Sequence, residues 1–498
     1  MKKKDKVYTI ALLIVFLSLV PRLVNFDSTV VIGTVHSLRQ LDVATIARNI
    51  YMDPMTFFTP LIDRGESFNT VPPMKVGLEF QLMPLLVAIL YSIFGIHTSF
   101  GPIVSLLFYI GSCWAIYKIS RYYLTEIGCL FSLTIFCFSS QYIVYSSTFM
   151  PESEVIFFLL ITFLLFKRYL SSPNNCRLVL FFVSLTLSML VKLTNAYMLP
   201  VYFYLWVINL GKFKLKDRIL LIGVGVLGFL LTLLYYWLVN KYADTPYVSN
   251  ILSDKVFKNL GSKYVDIDFW ELFFKYMIMY FAPIGFLVFL LGVFRVSKCH
   301  FELIVWLFCV VLFEHVSGYN ILVNHIYYFL PTVPIVSLIC GLGFQDIKYV
   351  IGKLNIWNGT KDLILVLIPL LLITQLLFLY KSYGFTGDAT YAKLQRQEGE
   401  NLKKVLAQYS SNDGRSLIGL LRWEEYPVLY YSEQLGWMFA YDENGENIKA
   451  NIQELKKKGC KFIYVSPRDK DSKVAELLKS ELKLIFDPRL EGLLLKVI

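Results

Sequence analysis

Read as apolar and polar positions, the chain is a succession of long apolar runs separated by short charged breaks, up to about residue 384. The runs fall near 7–24, 100–121, 127–147, 153–169, 177–191, 195–210, 218–239, 271–295, 301–317, 326–345 and 362–380. Most approach the ~20 residues a helix needs to cross a bilayer, and they are too continuous for the alternating strands of a barrel. Only helices and closed barrels satisfy their backbones in lipid, so the pattern predicts a polytopic α-helical membrane protein with about eleven spans.

The stretch between the first two runs is different. Residues 25–99 form a long first loop that includes Pro54, Pro60, Pro72 and Pro73. Within it, Leu38, Leu41, Thr45 and Ile46 recur at roughly helical spacing, with Arg39, Gln40, Asp42 and Arg48 between them. That spacing predicts a short amphipathic helix lying on a membrane surface. Residues 78–94 are apolar but carry Glu79, Gln81 and Pro84 near their start, which suits a second, partly submerged surface helix.

Charge supports that choice. The short loops around Lys118, Lys167, Lys212, Arg295 and Lys348 are rich in Lys and Arg, and all can be cytoplasmic only if 78–94 does not cross. The N-terminal MKKKDK then precedes an uncleaved first span, with the N-terminus cytoplasmic. An odd number of crossings places the Asp42 loop and residues 385–498 outside. Those last residues are charged and alternate between strand candidates (416–421, 436–440, 461–465, 493–497) and helix candidates (392–408, 448–458, 472–480). They predict a small extracytoplasmic α/β domain with a mostly parallel sheet, following a membrane domain at 1–384.

Composition agrees: 56% of the 498 residues are hydrophobic and 16% aromatic, with mean hydropathy +0.56. The net charge of +11 would suggest nucleic acid in a soluble protein, but here the cations sit in the loops that set topology, so nucleic acid is not expected as a partner. Eight cysteines show no CxxC spacing, and seven lie in or beside apolar runs, where they read as small buried hydrophobes.

Ionisable groups at membrane depth or at its boundary are functional candidates. Asp42, with His36 and Arg39, offers a carboxylate that orients or deprotonates a hydroxyl; the plainer reading is a surface helix with its charges mutually satisfied. Glu152 follows Pro151 at a span start, where good helix-start chemistry also explains it. Lys192 and Arg22 sit near span ends and either snorkel or meet a lipid phosphate. Glu314 and His315, then His325 and Tyr327, flank one turn. His36, His315, His325, Asp42 and Glu152, far apart in sequence, are also candidates to gather a divalent cation.

Several stretches together carry a family resemblance. HSLRQLDVATIARNIY (36–51) resembles the HSWRQADTAAIARNFY-type first loop of bacterial family-39-like glycosyltransferases. These belong to the GT-C superfamily, with protein O-mannosyltransferases and aminoarabinose transferases. The resemblance continues through PLIDRG (60–65), VGLEFQLMPLLVAILYSIFG (76–95), YSSTFMPESEVIFF (145–158), VKLTN (191–195) and HIYYFLPTVPIVSLICGLG (325–343). It implies a GT-C fold with juxtamembrane helices, a polyprenyl-phosphate sugar donor, and inverting transfer to an envelope glycan, lipid or protein on the outer face of the bacterial inner membrane. Asp42 and Glu152 take the positions of the family's acidic residues. Lys192, Arg22, Arg39 and Arg64 become candidates for the donor phosphate, and His36, Glu79, Glu314, His315, His325 and Tyr327 for the substrate pocket. The chain departs from the family in Leu38 for Trp, Leu41 for Ala, and HIYYFLP where HxYYQLP is common; the last bears on sugar or acceptor contacts. A flippase of lipid-linked glycans, or an O-antigen-type ligase or polymerase, stand as alternatives.

Overall fold

The computed structural model describes residues 3–24, 36–65, 68, 70–247, 267–354, 357–382, 389–409, 415–439 and 447–497. The beginning of the first loop (25–35) and most of the break between the runs at 218–239 and 271–295 therefore lie outside the described residues. The chain divides into two compact units. One, the membrane unit, is Met1–Phe26, Pro102–Trp237 and Val248–Phe385; the other, the loop–tail unit, is Asp27–Gly101, Leu238–Tyr247 and Thr386–Ile498. This division differs from the sequence-based one in grouping the first loop with the tail.

Helices occupy every predicted span of the membrane unit, and among the described residues six, including Phe100–Ser120, Leu215–Lys241 and Asn358–Ser382, are long and apolar enough to cross a bilayer. Others are shorter or broken. The run at 127–147 is two helices, Glu126–Phe138 and Ser140–Tyr145, because Ser139 is non-helical (φ −49°, ψ 122°). The run at 326–345 starts as a 3₁₀ turn, Ile326–Phe329, before the helix Thr332–Lys353. Ile267–Cys299 kinks at Ala282 (φ 61°, ψ 161°), where the following Pro283 disfavours helical backbone.

Burial sorts these helices. Within Ile326–Lys353, 83% of the spanning window is buried, against 11% of Asn358–Ser382, so the first is central and the second presents leucines outward, as a lipid-facing helix does. The central helix meets Ile267–Cys299 through reciprocal glycines. A Cβ on Gly292 would stand 2.1 Å from the Ile339 carbonyl oxygen, and one on Gly343 2.1 Å from that of Val288. Only small residues let the two backbones come so close. Phe131 and Phe344 stack 4.0 Å apart where the central helix packs on Glu126–Phe138.

In the loop–tail unit, the strands are β1 (Leu61–Ile62), β2 (Arg64–Gly65), β3 (Met74–Lys75), β4 (Leu417–Leu420), β5 (Leu435–Met438), β6 (Phe462–Val465), β7 (Lys483–Ile485) and β8 (Leu493–Lys496). β1 pairs with β3, and the rest form one sheet in the order β2-β5-β4-β6-β8-β7. Pairing is parallel from β2 to β6 and antiparallel beyond. The tail's sheet thus takes its edge strand from the first loop, with Arg64 opposite Gly436.

Alternation along β6 sets the layers. Ile463 and Val465 join a core with Trp437, Ile448, Leu455, Val474 and Leu478, which buries the apolar faces of the helices Ile448–Lys457 and Lys473–Glu481. Tyr464 points the other way and donates to Glu398 on the helix Ala389–Leu406 at 2.6 Å. That helix packs on Tyr426–Ser432, a short helix that the sequence reading did not anticipate.

The helix Ser37–Met52 corrects an expectation. It is not an amphipathic surface helix: every residue from Gln40 to Ile50 is buried. Within its unit it packs on Leu82–Phe94, β1 and Tyr426–Ser432. Its polar residues face polar partners rather than water, as set out below. Leu82–Phe94 has 13 residues, about 20 Å at the helical rise, too short to cross as a single helix.

Candidate active site

In the loop–tail unit, Asp42 lies one turn inside the Ser37–Met52 helix and Arg64 lies on β2. The guanidinium meets the carboxylate two-pronged, Nε to Oδ1 and Nη2 to Oδ2, each at 3.1 Å. Side-chain exposure is 8% for Arg64 and 10% for Asp42, so the pair is nearly out of solvent. Arg64 also donates to the Tyr247 hydroxyl at 3.3 Å and lies 5.4 Å and 5.6 Å from the rings of Trp423 and Tyr426.

Burial works against the Arg64 charge, but Asp42 outweighs it and holds the guanidinium firmly protonated. Burial, reinforced by the Asp42 charge, raises the Tyr426 phenol well above its ordinary value, so it too keeps its proton. A carboxylate with both oxygens on one fork has a fixed plane. It still has lone pairs to accept a hydroxyl hydrogen.

One turn before Asp42, Arg39 Nη2 meets Glu79 Oε2 at 2.7 Å, with side-chain exposures of 20% and 16%. Further along the helix, Arg48 and Arg415 both hold Asp63, which is fully buried. Burial pushes the Asp63 carboxyl up, but the two guanidinia outweigh it and leave it below the usual carboxylate range. His36 is the N-cap residue of the helix, in left-handed backbone at φ 53°.

In the membrane unit, Glu152 opens the helix Glu152–Ser171, and Lys192 sits at the extended break after Asn175–Val191. Lys192 Nζ is 3.2 Å from Glu152 Oε1 and lies 4.7 Å and 5.3 Å from the ring centres of Tyr327 and Tyr328. These four residues, with Thr194 and Phe313, line one cleft. Glu152 Oε2 is buried there without a hydrogen-bond partner. His325 is adjacent, its Nδ1 3.4 Å from the Tyr327 hydroxyl.

The structure therefore joins three of the four candidate cations to candidate acids: Arg64 with Asp42, Arg39 with Glu79, and Lys192 with Glu152. Arg22 departs from expectation. It is fully buried, its three nitrogens donate to Ser146 Oγ, Ser18 O and Cys137 O, and its guanidinium stacks 3.7 Å from Tyr109. The cation is met by protein oxygens and an aromatic face, which removes the case for a phosphate there.

Glu314 and His315 do not line the Lys192 cleft. Glu314 accepts from Thr332, and His315 packs edge-on against Phe269 at 4.8 Å. Nor are His36, His315, His325, Asp42 and Glu152 gathered into a cation site: among the described residues, no three His, Cys, Asp or Glu side chains are placed to share a metal. Sequence reasoning missed Trp423, Tyr426 and Tyr247 beside Arg64, and Tyr328 beside Lys192. Tyr328 stood in the quoted HIYYFLP motif; the other three carried no local signal.

Residues 81–237 match the family model described as dolichyl-phosphate-mannose-protein mannosyltransferase. No curated protein matches the chain. Among solved structures, the chain is similar to ArnT from Cupriavidus metallidurans bound to undecaprenyl phosphate, with TM-score 0.63 and 12% identity over 97% of this chain and 98% of that one. The apo state of the same protein gives TM-score 0.61 and 13% identity over the same shares. The Archaeoglobus fulgidus oligosaccharyltransferase in its apo form gives 0.56 and 12%, over 94% of this chain and 70% of that one. At such identities the likeness is one of fold.

Proposed function

We propose that this chain, a GT-C superfamily membrane glycosyltransferase by fold and family segment, moves a sugar from a polyprenyl-phosphate donor to an envelope acceptor, with inversion. The observation that supports the reading most is the nearly buried Asp42 carboxylate, held two-pronged by Arg64. Such a group is oriented before substrate arrives, which is what a proton acceptor in a displacement needs.

In the proposed step, an acceptor hydroxyl oxygen attacks the anomeric carbon as the bond from that carbon to the phosphate oxygen breaks. The bonding pair leaves with the polyprenyl phosphate, and the hydroxyl proton passes to Asp42 and then to solvent. Tyr426, protonated and beside Arg64, keeps the carboxylate's surroundings neutral overall. Lys192 neutralises the departing phosphate, with Glu152 holding the ammonium in place before the donor binds. The similar ArnT structure has undecaprenyl phosphate bound, which supports a lipid of this class as donor carrier. Tyr327 and His325 bound the sugar. On this reading the reaction takes place on the outer face of a bacterial inner membrane, with the N-terminus cytoplasmic and the tail outside.

The test is transfer by the purified protein in proteoliposomes, from a panel of radiolabelled polyprenyl-phosphate sugars to envelope acceptors. Single sugars should leave the lipid and appear on the acceptor. Donor that merely changes leaflet intact would replace this reading with a flippase, and transfer of a whole glycan would replace it with a ligase.

A further inference from the structure

The loop–tail unit contains a cavity of about 570 Å³ that the proposed reaction does not use. One wall is the Ala389–Leu406 helix, where Arg396, Glu400 and Lys403 recur at helical spacing, with Lys404 beside them. Tyr430, Tyr431 and Glu433, on and just after the short helix packed beside it, also line the site, with the turn at 97–99 and Arg48, and one side stays open.

The lining is cationic in excess. Four cations (Arg48, Arg396, Lys403, Lys404) face two carboxylates, and each carboxylate already has a cation of its own. Arg396 Nε meets Glu400 at 2.8 Å, and Lys403 Nζ meets Glu433 at 2.7 Å. Arg48 must share its counter-ion, Asp63, with Arg415, and its Nε is buried with no hydrogen-bond partner. A buried guanidinium N–H without an acceptor is costly, and an anion in the adjoining cavity relieves it. Tyr430 is buried beneath the Arg48 guanidinium, and the half-buried Tyr431 adds flat amphipathic surface, the kind that covers the C–H face of a sugar. The volume is that of a small-molecule pocket and admits one ring or a short polyol.

We infer that this cavity binds an anionic saccharide or polyol unit, its phosphate or carboxylate set among Arg48, Arg396 and Lys404 and its ring or chain against Tyr431. On the transfer reading, and resting on it, the occupant is an acidic unit of the acceptor glycan, held by the tail while another of its hydroxyls reacts.

The experiment is direct binding to the full-length protein in neutral detergent, with glucose 1-phosphate, glucuronate, glucose and inorganic phosphate as separate probes. At least one charged sugar should bind, and whichever does identifies the anion as phosphate or carboxylate; glucose should not bind. Lys403→Gln with Lys404→Gln should weaken that binding about tenfold at an unchanged melting temperature, since exposed charge pairs contribute little to folding. Lys457→Gln, an exposed lysine elsewhere in the tail, should leave binding unchanged. Equal binding of glucose, inorganic phosphate binding as tightly as the sugars, absence of binding, or indifference to the double substitution would each overturn the inference. Binding is read without turnover. A protein that binds the probe but transfers no sugar therefore contradicts the proposed function and leaves the site standing.

Discussion

Asp42 and Arg64 meet in a way only arginine's planar fork allows, so the two residues make separable predictions. Arg64→Lys keeps the charge but loses one of the two hydrogen bonds, and transfer should fall about tenfold or more as the carboxylate loses its orientation. Arg64→Ala leaves a nearly buried carboxylate unpaired and should destabilise the protein by about 3–5 kcal/mol, seen as a lower midpoint in thermal unfolding. Lys192→Met should lower kcat as well as raise the KM for the lipid donor, because the ammonium meets a phosphate whose negative charge grows as it departs. Asp42, Arg64, Glu152 and Lys192 were all legible in the sequence, since each stands in a quoted motif. Arg22 was misjudged for a physical reason: a buried cation needs oxygens, and carbonyls with a serine supply them as well as a phosphate does. Trp423 and Tyr426 were illegible because they reach Arg64 only through strand pairing across some 360 residues of chain.

Among elements, β2 shows what periodicity can and cannot reveal. Two residues are too few to alternate, so nothing in Arg64–Gly65 announces a strand; the longer β4, β6 and β8 fell within their predicted stretches, and β5 overlaps its own but starts one residue earlier. The Ser37–Met52 helix had helical spacing and was found, yet its surface placement was wrong because Arg48 and Asn49 face Asp63 instead of water. That buried cluster gives the unit a pH dependence. The Asp63 carboxyl is held below its ordinary value by Arg48 and Arg415, despite its burial. Its contribution is therefore fully present above the unfolded value of 3.8 and is lost as the pH falls through the lower, folded value. Melting temperature should drop on acidification below that value, and Asp63→Asn should melt lower at neutral pH with the acid-dependent part of the drop diminished. In the membrane unit, Gly343→Leu should prevent the close crossing with Ile267–Cys299 and lower stability in detergent, while Gly352→Leu, with open space around it, should not.

Across the whole molecule, the multi-pass helical architecture was legible from apolar runs alone, because lipid leaves a chain so few ways to satisfy its backbone. The grouping of the first loop with the tail was not, since it depends on pairing between distant segments. Sidedness is a matter for labelling. Phe486→Cys, at one of the most exposed positions of the tail, should react with a membrane-impermeant maleimide in intact cells or spheroplasts. The exposed native Cys176, in the first turn of Asn175–Val191 beside a loop read as cytoplasmic, should react only after the membrane is opened. The reverse pattern would invert the topology.

The measurement that bears most directly on this account is transfer of labelled sugar from a polyprenyl-phosphate donor by Asp42→Asn beside wild type, at matched folding and membrane insertion. Label should leave the lipid with wild type, and the asparagine variant should lose at least ~10²-fold in rate, the scale of a lost proton acceptor. Equal transfer by the two proteins would contradict it and remove Asp42 from the centre of the chemistry.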